Sequence, residues 1–231
     1  MIEIWIVERS DDEKINPALF SVLTKEQYDY ISSKRLMQDR YNSLLGTVLS
    51  RYVLENRFSC FYPIKRNADR KPYVDHFPGE INISHSNNTV VCAVNETGKI
   101  GVDIEEISEI DFAIITEFFS FNEQYMFHIL SSKRKKQLLL YQLWTLKESF
   151  VKATGTGLGP VLLSNIEFDL TGQPKLKFQH NNWKFHSGLL NETHYLSVCY
   201  SASKEEIISI HKISLNELAM YSLKDQTSYI G

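Results

Sequence analysis

The sequence predicts an α+β protein made by repeating one α+β lobe. Segments of helical period are followed in each half by short runs rich in β-branched and aromatic residues, the arrangement of antiparallel α+β lobes rather than of a doubly wound parallel sheet. No glycine-rich phosphate loop of the dinucleotide or P-loop kind occurs in the 231 residues. Sliding the chain by 99 positions pairs "SKRLMQDRYNSLLGTVLS" (33–50) with "SKRKKQLLLYQLWTLKES" (132–149) without a gap. Two halves are therefore expected, a lobe at 1–98 and a second at 99–231.

Taken in order, "IEIWIVE" alternates as a strand over 2–8, and helices follow near 11–21 and 24–31. A long helix is expected from about 33 to 57, its hydroxyl-rich start suited to capping. β-rich runs at 72–75, 80–84 and 89–95 close the first half. The second half opens with a strand at 99–106, then helices at 111–118 and 122–130 and a long helix at 132–154. Gly155, Gly157 and Gly159 with Pro160 stop that helix. Strands near 165–170, 174–178, 182–188, 194–200 and 206–211 precede an unassigned tail.

Composition bounds the function. With 43% hydrophobic and 23% charged residues the chain is globular, and a net charge of -3 with pI near 6.2 supplies no field for nucleic acid or anionic lipid. Cys60, Cys92 and Cys199 are odd in number and widely spaced, and the last two lie in apolar runs, so they read as reduced core residues. The N-terminus turns acidic too early for a secretory signal, and no apolar run is long enough to span a membrane. A cytoplasmic protein is expected, with no nucleic-acid or membrane partner.

Three stretches carry chemistry. In "WTLKESFVKATGTG" (144–157), Trp144, Lys147, Glu148, Val151 and Lys152 fall within roughly 140° of helical arc, while Leu143, Leu146, Phe150 and Ala153 line the other side. Taken alone, Glu148 and Lys152 make an ordinary solvated i,i+4 pair. In "GVDIEE" (101–106) a strand puts Asp103 and Glu105 on one face, where like charges raise each other's pKa unless a cation lies between them. Hard divalent ions such as Mg²⁺ take oxygen ligands of this kind, and Glu148 supplies a third if the long helix packs beside that strand. "NISHS" (82–86) sets His85 between two hydroxyls, either a satisfied core histidine or a phosphate contact. "DRKPYV" (69–74) brings Arg70 and Lys71 in front of a proline that favours extended backbone.

With "INISHS", "GVDIEE", "FFSFNE" and "WTLKESFVKATGTGL" in this order and spacing, the sequence resembles the 4′-phosphopantetheinyl transferases of the Sfp type, the class of two similar lobes. The resemblance runs from about residue 33 to 160 and is strongest in the second half. It implies a pseudo-twofold, monomeric molecule with its site in the cleft between the lobes. The implied reaction moves the phosphopantetheine arm of coenzyme A to a serine of an apo acyl or peptidyl carrier protein, releasing adenosine 3′,5′-bisphosphate. By the same resemblance Asp103, Glu105 and Glu148 hold Mg²⁺, Lys152 contacts the phosphate under attack, and Glu148 or a metal-bound water takes the serine proton. Lys71, Ser84 and His85 match the family's coenzyme A contacts, and Glu123 matches a further acidic position with a supporting role. The residue types suit phosphoryl transfer, which needs positioning and charge cancellation more than covalent help.

The chain departs from the family between residues 32 and 44, a shorter stretch than the Sfp type has where basic residues meet the nucleotide 3′-phosphate. Lys34, Arg35 and Arg40 are the candidates there. The run Lys133, Arg134, Lys135, Lys136 reads either as a solvated turn or as an attraction for an acidic carrier helix. A metal-dependent phosphohydrolase using Asp103 and Glu105 is the rival enzyme class.

Overall fold

The computed structural model describes residues 1–61, 63–67, 71–109, 113–156, 160–177 and 182–227. Arg70, Gly157 and Gly159 lie outside the described residues. In chain order the elements are β1 (Ile2–Glu8), α1 (Lys25–Ser32), α2 (Met37–Phe58), β2 (Ile64–Arg66), β3 (Pro72–Val74), β4 (Glu80–Ser86), β5 (Thr89–Asn95) and β6 (Ile100–Glu106). There follow α3 (Ile114–Phe118), α4 (Phe121–Ile129), α5 (Lys133–Thr154), α6 (Pro160–Asn165), β7 (Phe168–Asp169), β8 (Lys175–Leu176), β9 (Trp183–Leu190), β10 (His194–Ser201), β11 (Ile208–Lys212) and α7 (Leu215–Thr227). Among the described residues no helix is long and apolar enough to cross a membrane.

The chain divides into two compact units, Met1–Thr97 together with the chain from Ile207 on, and Gly98–Glu206. In the first, the sheet order is β11-β1-β5-β4, antiparallel except for the parallel β1–β11 pair that sets Ile2 opposite Ile208. The apolar stripe of α2 (Leu44, Leu45, Val48, Leu49, Val53) packs with Ile81, Val90, Cys92 and Val94 of the sheet. In the second, β6-β10-β9 is wholly antiparallel, and the stripe of α5 (Leu143, Leu146, Phe150, Ala153) packs with Phe185, Tyr195 and Cys199.

The expected duplication is present: β1-β5-β4 and β6-β10-β9 share one strand order, each backed by a 22-residue helix that stops at a left-handed residue, Ser59 in one unit and Gly155 in the other. The offset differs from that of the sequence match. α2 and α5 begin at 37 and 133, so they correspond at 96 residues and not 99. Two amphipathic helices overlay almost as well when slid by nearly one turn, because their apolar residues recur at three and four.

Other expectations change for local reasons. The helix expected at 11–21 is a 3₁₀ turn, Pro17–Phe20, because Pro17 can start a helix but not sit inside one and Asn16 caps it. The long first helix begins at Met37, after α1 has ended at Ser32. The run expected as a strand from 165 starts as helix α6, led by Pro160, and extends only over Phe168–Asp169. The tail is not structureless: Ser214 and Glu217 form a reciprocal cap, with Ser214 N–H and Oγ–H donating to Glu217 Oε2 and Glu217 N–H to Ser214 Oγ, and α7 follows. Finally, the second lobe expected at 99–231 ends at Glu206, because β11 pairs with β1 and Leu218 and Ala219 of α7 enter the first unit's core.

Candidate active site

In the second unit, Gly101, Asp103 and Glu105 lie two apart on β6 and so share a face. A Cβ on Gly101 would stand 2.0 Å from the Ser149 carbonyl oxygen and 2.4 Å from the Ala153 nitrogen, both backbone atoms of α5. Only glycine permits that approach of helix to strand, and the approach brings Glu148 and Lys152, each one position before Ser149 and Ala153, to the carboxylates.

Lys152 Nζ lies 2.6 Å from Asp103 Oδ1; the lysine is about a quarter exposed and the aspartate buried. The solvated i,i+4 account of Lys152 is thereby replaced by an ion pair across to the strand. Glu148 is buried beside this pair, and its carboxyl is pushed up to about 7. Burial is the largest cause, Asp103 the next, with Lys152 opposing and Glu105 adding to the rise. A hydroxyl chain backs the site: Thr145 Oγ1 is 2.7 Å from Ser197 Oγ, which is 2.8 Å from Ser187 Oγ, and Ser197 is the β10 neighbour directly opposite Asp103.

Lys147 is not part of this charged group, although its position on the helical wheel put it there. It is buried in the core, where Nζ donates to Glu123 Oε2 at 2.5 Å, to Leu163 O at 2.9 Å and to Phe118 O at 3.2 Å, over the Phe119 ring. Burial raises the Glu123 carboxyl and lowers the Lys147 ammonium, each opposed by the other's charge. Glu123 also accepts from Ser120 N–H, so the expected supporting acid holds α4 to α5. Trp144 stands edge-on to Phe118 at 5.2 Å, packed against the second unit's apolar core.

Among the described residues, no three Asp, Glu, His or Cys side chains gather closely enough to ligate one ion as placed, so the expected set of Asp103, Glu105 and Glu148 is not drawn together. Facing carboxylates repel, and Lys152 neutralises Asp103. The donor set nevertheless fits Mg²⁺: it is all oxygen, and the three carboxylates are near enough that Asp103 and Glu105 both hold Glu148 towards its protonated form.

The first unit carries the other expected residues. Lys71 Nζ is half-buried and lies 2.6 Å from Glu80 Oε2. Ser84 is buried on β4 and His85 is exposed, with Nδ1 3.3 Å from Asn42 Nδ2. Arg40 Nε donates to Lys34 O at 2.7 Å, fixing the turn before α2. Lys34 lines a cavity of about 610 Å³ with Thr47, Ile64, Lys65 and Arg66. Within it Lys34 and Arg66 both lie over the Tyr30 ring, at 4.3 and 4.8 Å. Tyr30 and Arg66 were not singled out from sequence, being neighbours only after α1 meets β2.

The family model for the 4′-phosphopantetheinyl transferase superfamily matches residues 99–199, from β6 to β10. A 4′-phosphopantetheinyl transferase of Aneurinibacillus migulanus, gsp, is 31% identical over 229 residues, 94% of each chain. The chain belongs to the 4′-phosphopantetheinyl transferase superfamily. The transferase Sfp of Bacillus subtilis strain 168 is 31% identical over 156 residues, 66% of this chain and 69% of that one. A holo-(acyl-carrier-protein) synthase from Bacillus anthracis, solved in complex with CoA, superposes with a TM-score of 0.38 at 22% identity, over 45% of this chain and 96% of the other. The stretch that the superfamily model matches contains Asp103, Glu105, Glu148 and Lys152, and the gsp match extends through both units of this transferase.

Proposed function

We propose that this transferase moves the 4′-phosphopantetheine group of coenzyme A to a serine of an apo acyl or peptidyl carrier protein, with Mg²⁺, releasing adenosine 3′,5′-bisphosphate. The observation that supports it most is the ion pair of Asp103 and Lys152 beside the buried Glu148, with Glu105 on the same strand face, brought together where Gly101 lets α5 meet β6. Asp103, Glu105 and Glu148 would hold the ion, whose positive charge would offset the negative charge of the pyrophosphate.

The serine oxygen forms a bond to the phosphorus bearing the pantetheine arm, and the bond from that phosphorus to the bridging oxygen breaks, leaving the electron pair on the bisphosphate. Glu148, whose pKa burial and then its acidic neighbours raise to about 7, is suited to accept the serine proton. Lys152, partly exposed and on the same helix face, meets the charge that builds on the transferring phosphoryl oxygens. In the first unit, Lys71, Ser84 and His85 contact the coenzyme, and the cavity around Tyr30 takes its nucleotide end between Lys34 and Arg66, with Arg40 fixing Lys34. One chain carries all of these residues, which suits a monomer.

Purified protein incubated with coenzyme A, Mg²⁺ and several apo carriers tests the proposal by intact mass. One phosphopantetheine should be added per carrier only when coenzyme A and Mg²⁺ are both present. Asp103→Ala and Glu148→Gln should each lower turnover by about 10² to 10³, equivalent to roughly 3 to 4 kcal/mol of transition-state stabilisation. Modification undiminished by excess chelator would remove the metal, and phosphate release without carrier modification would favour a phosphohydrolase.

A further inference from the structure

We propose that the exposed face of α4, with the basic start of α5, is the surface on which an acidic amphipathic helix of the carrier protein docks. The proposal rests on the carrier-modifying reading above for the partner's identity, but its observations lie outside the charged site.

Phe121, Tyr125 and Ile129 are 84%, 62% and 64% exposed. They recur every fourth residue, so they form one stripe about 12 Å long on the side of α4 opposite the buried Glu123 and Phe127. Three large apolar side chains in a row on one short helix are a recognition pattern, not the scattered exposure that any surface shows. The helix is also held rigidly. Ser120 and Glu123 cap its start reciprocally, and Glu123 is anchored to Lys147, the residue next to Glu148. A partner bound to this face is thus held by a helix anchored to α5, which carries Glu148 and Lys152.

The charge that follows the stripe in the chain, at the start of α5, sets the partner's chemistry. The first turn of α5 is Lys133, Arg134, Lys135 and Lys136 with no acidic residue, at the helix end where the macrodipole is already positive. That arrangement opposes local helix stability. Glu109 pairs with Lys133 in a solvent-exposed contact, and among the described residues no carboxylate pairs with Lys135 or Lys136. An acidic partner helix would relieve the repulsion while its apolar side covered the α4 stripe. A second copy of this chain is the poorer occupant, because a twofold contact would set this basic run against itself.

Binding and turnover, measured separately, test this. Wild type, a stripe variant (Phe121→Ser with Tyr125→Ser) and a charge variant (Lys135→Glu with Lys136→Glu) are titrated with labelled apo acyl and peptidyl carrier proteins whose acceptor serine is changed to alanine. Wild type should bind at least one carrier, and each variant should weaken that binding about tenfold or more, with unchanged melting temperature and coenzyme A affinity. Intact carriers should show the same rise in KM with kcat retained at saturation. Carrier binding to wild type that neither variant weakens, or no carrier binding to wild type, overturns the docking surface. So does a wild-type dimer, seen by sedimentation, that the stripe variant dissolves. Turnover of wild type with unaltered carriers reads the proposed reaction independently, so docking without transfer separates a failed function from a failed surface.

Discussion

Lys147 and Lys152 are five residues apart on one helix and have opposite fates. Lys152 reaches Asp103 at the rim of the site, whereas Lys147 is sealed in the core with Glu123. The strict spacing of Glu148 and Lys152 and the D-x-E of β6 were legible in the sequence, because helix and strand periods alone decide which residues share a face. The burial of Lys147 was not, since it depends on α4 and α6 closing over α5, and contacts of that range leave no trace in local periodicity. The two lysines predict different losses. Lys152→Ala should lower the single-turnover rate while changing coenzyme A affinity less, and Lys152→Arg should recover only part, a planar guanidinium being unable to place its donors where an ammonium does. Full activity in Lys152→Ala would return this lysine to a purely structural pair with Asp103. Lys147→Met should instead destabilise the fold by roughly 3 to 5 kcal/mol, read from urea unfolding, because it strands a buried carboxylate. Lys147→Met with Glu123→Leu should recover much of that loss, and no recovery would mean that the lysine's bonds to the Leu163 and Phe118 carbonyls dominate.

At the scale of elements, the site exists because one strand carries a glycine where a helix crosses it. "GVDIEE" announced its carboxylates, but nothing in the local pattern marks the glycine that leads the motif as the point where the backbone of α5 lies against the strand. Gly101→Ala cannot be relieved by turning a side chain, since both close atoms are backbone. The helix must move away from β6, at a cost of about 1 to 3 kcal/mol or more. The displacement should separate Lys152 and Glu148 from Asp103, so turnover and Mg²⁺ affinity should fall together although no charged residue is altered. Unchanged turnover in a variant that is destabilised would show that the site tolerates a looser helix. The contrasting case is Gly46 on α2, where an added Cβ would meet the Ile83 side chain at 2.9 Å, a contact that a methyl group can yield. Cap signals were a second part of the element scale that could be read directly. Ser120 with Glu123, and Ser214 with Glu217, are S-x-x-E starts, and the latter is the signal by which the helix of the tail, left unassigned from apolar periodicity, could have been found.

Across the whole molecule, sequence order and unit membership part company at the C-terminus. The repeat in the sequence suggested a cut into two consecutive lobes, and the shared strand order bears out the repetition but not the cut. The first unit borrows its outer strand β11 and its last helix α7 from the end of the chain, and a self-comparison cannot see this because the borrowed segment has no counterpart in the other half. The consequence is that the first 97 residues are an incomplete fold. Ending the chain after Glu206 would strip β1 of its parallel partner and Trp5 of the His211 ring stacked 4.4 Å from it. It would also remove Ile213, Leu215 and Leu218 from the first unit's core. At about 1.5 to 3 kcal/mol for each buried aliphatic side chain, the loss is on the order of 5 kcal/mol or more, comparable with the whole stability of an ordinary domain. The truncated chain should therefore lose hydrogen-exchange protection in β1 and β5 first, while β6 and β10, whose ladder lies wholly within Gly98–Glu206, keep theirs. Coenzyme A affinity should fall with it, since Lys34, Lys71 and Ser84 are carried by the unit that loosens. Protection retained in β1 after truncation would mean that β5 alone secures that strand, and simultaneous loss in both sheets would mean that the two units unfold as one.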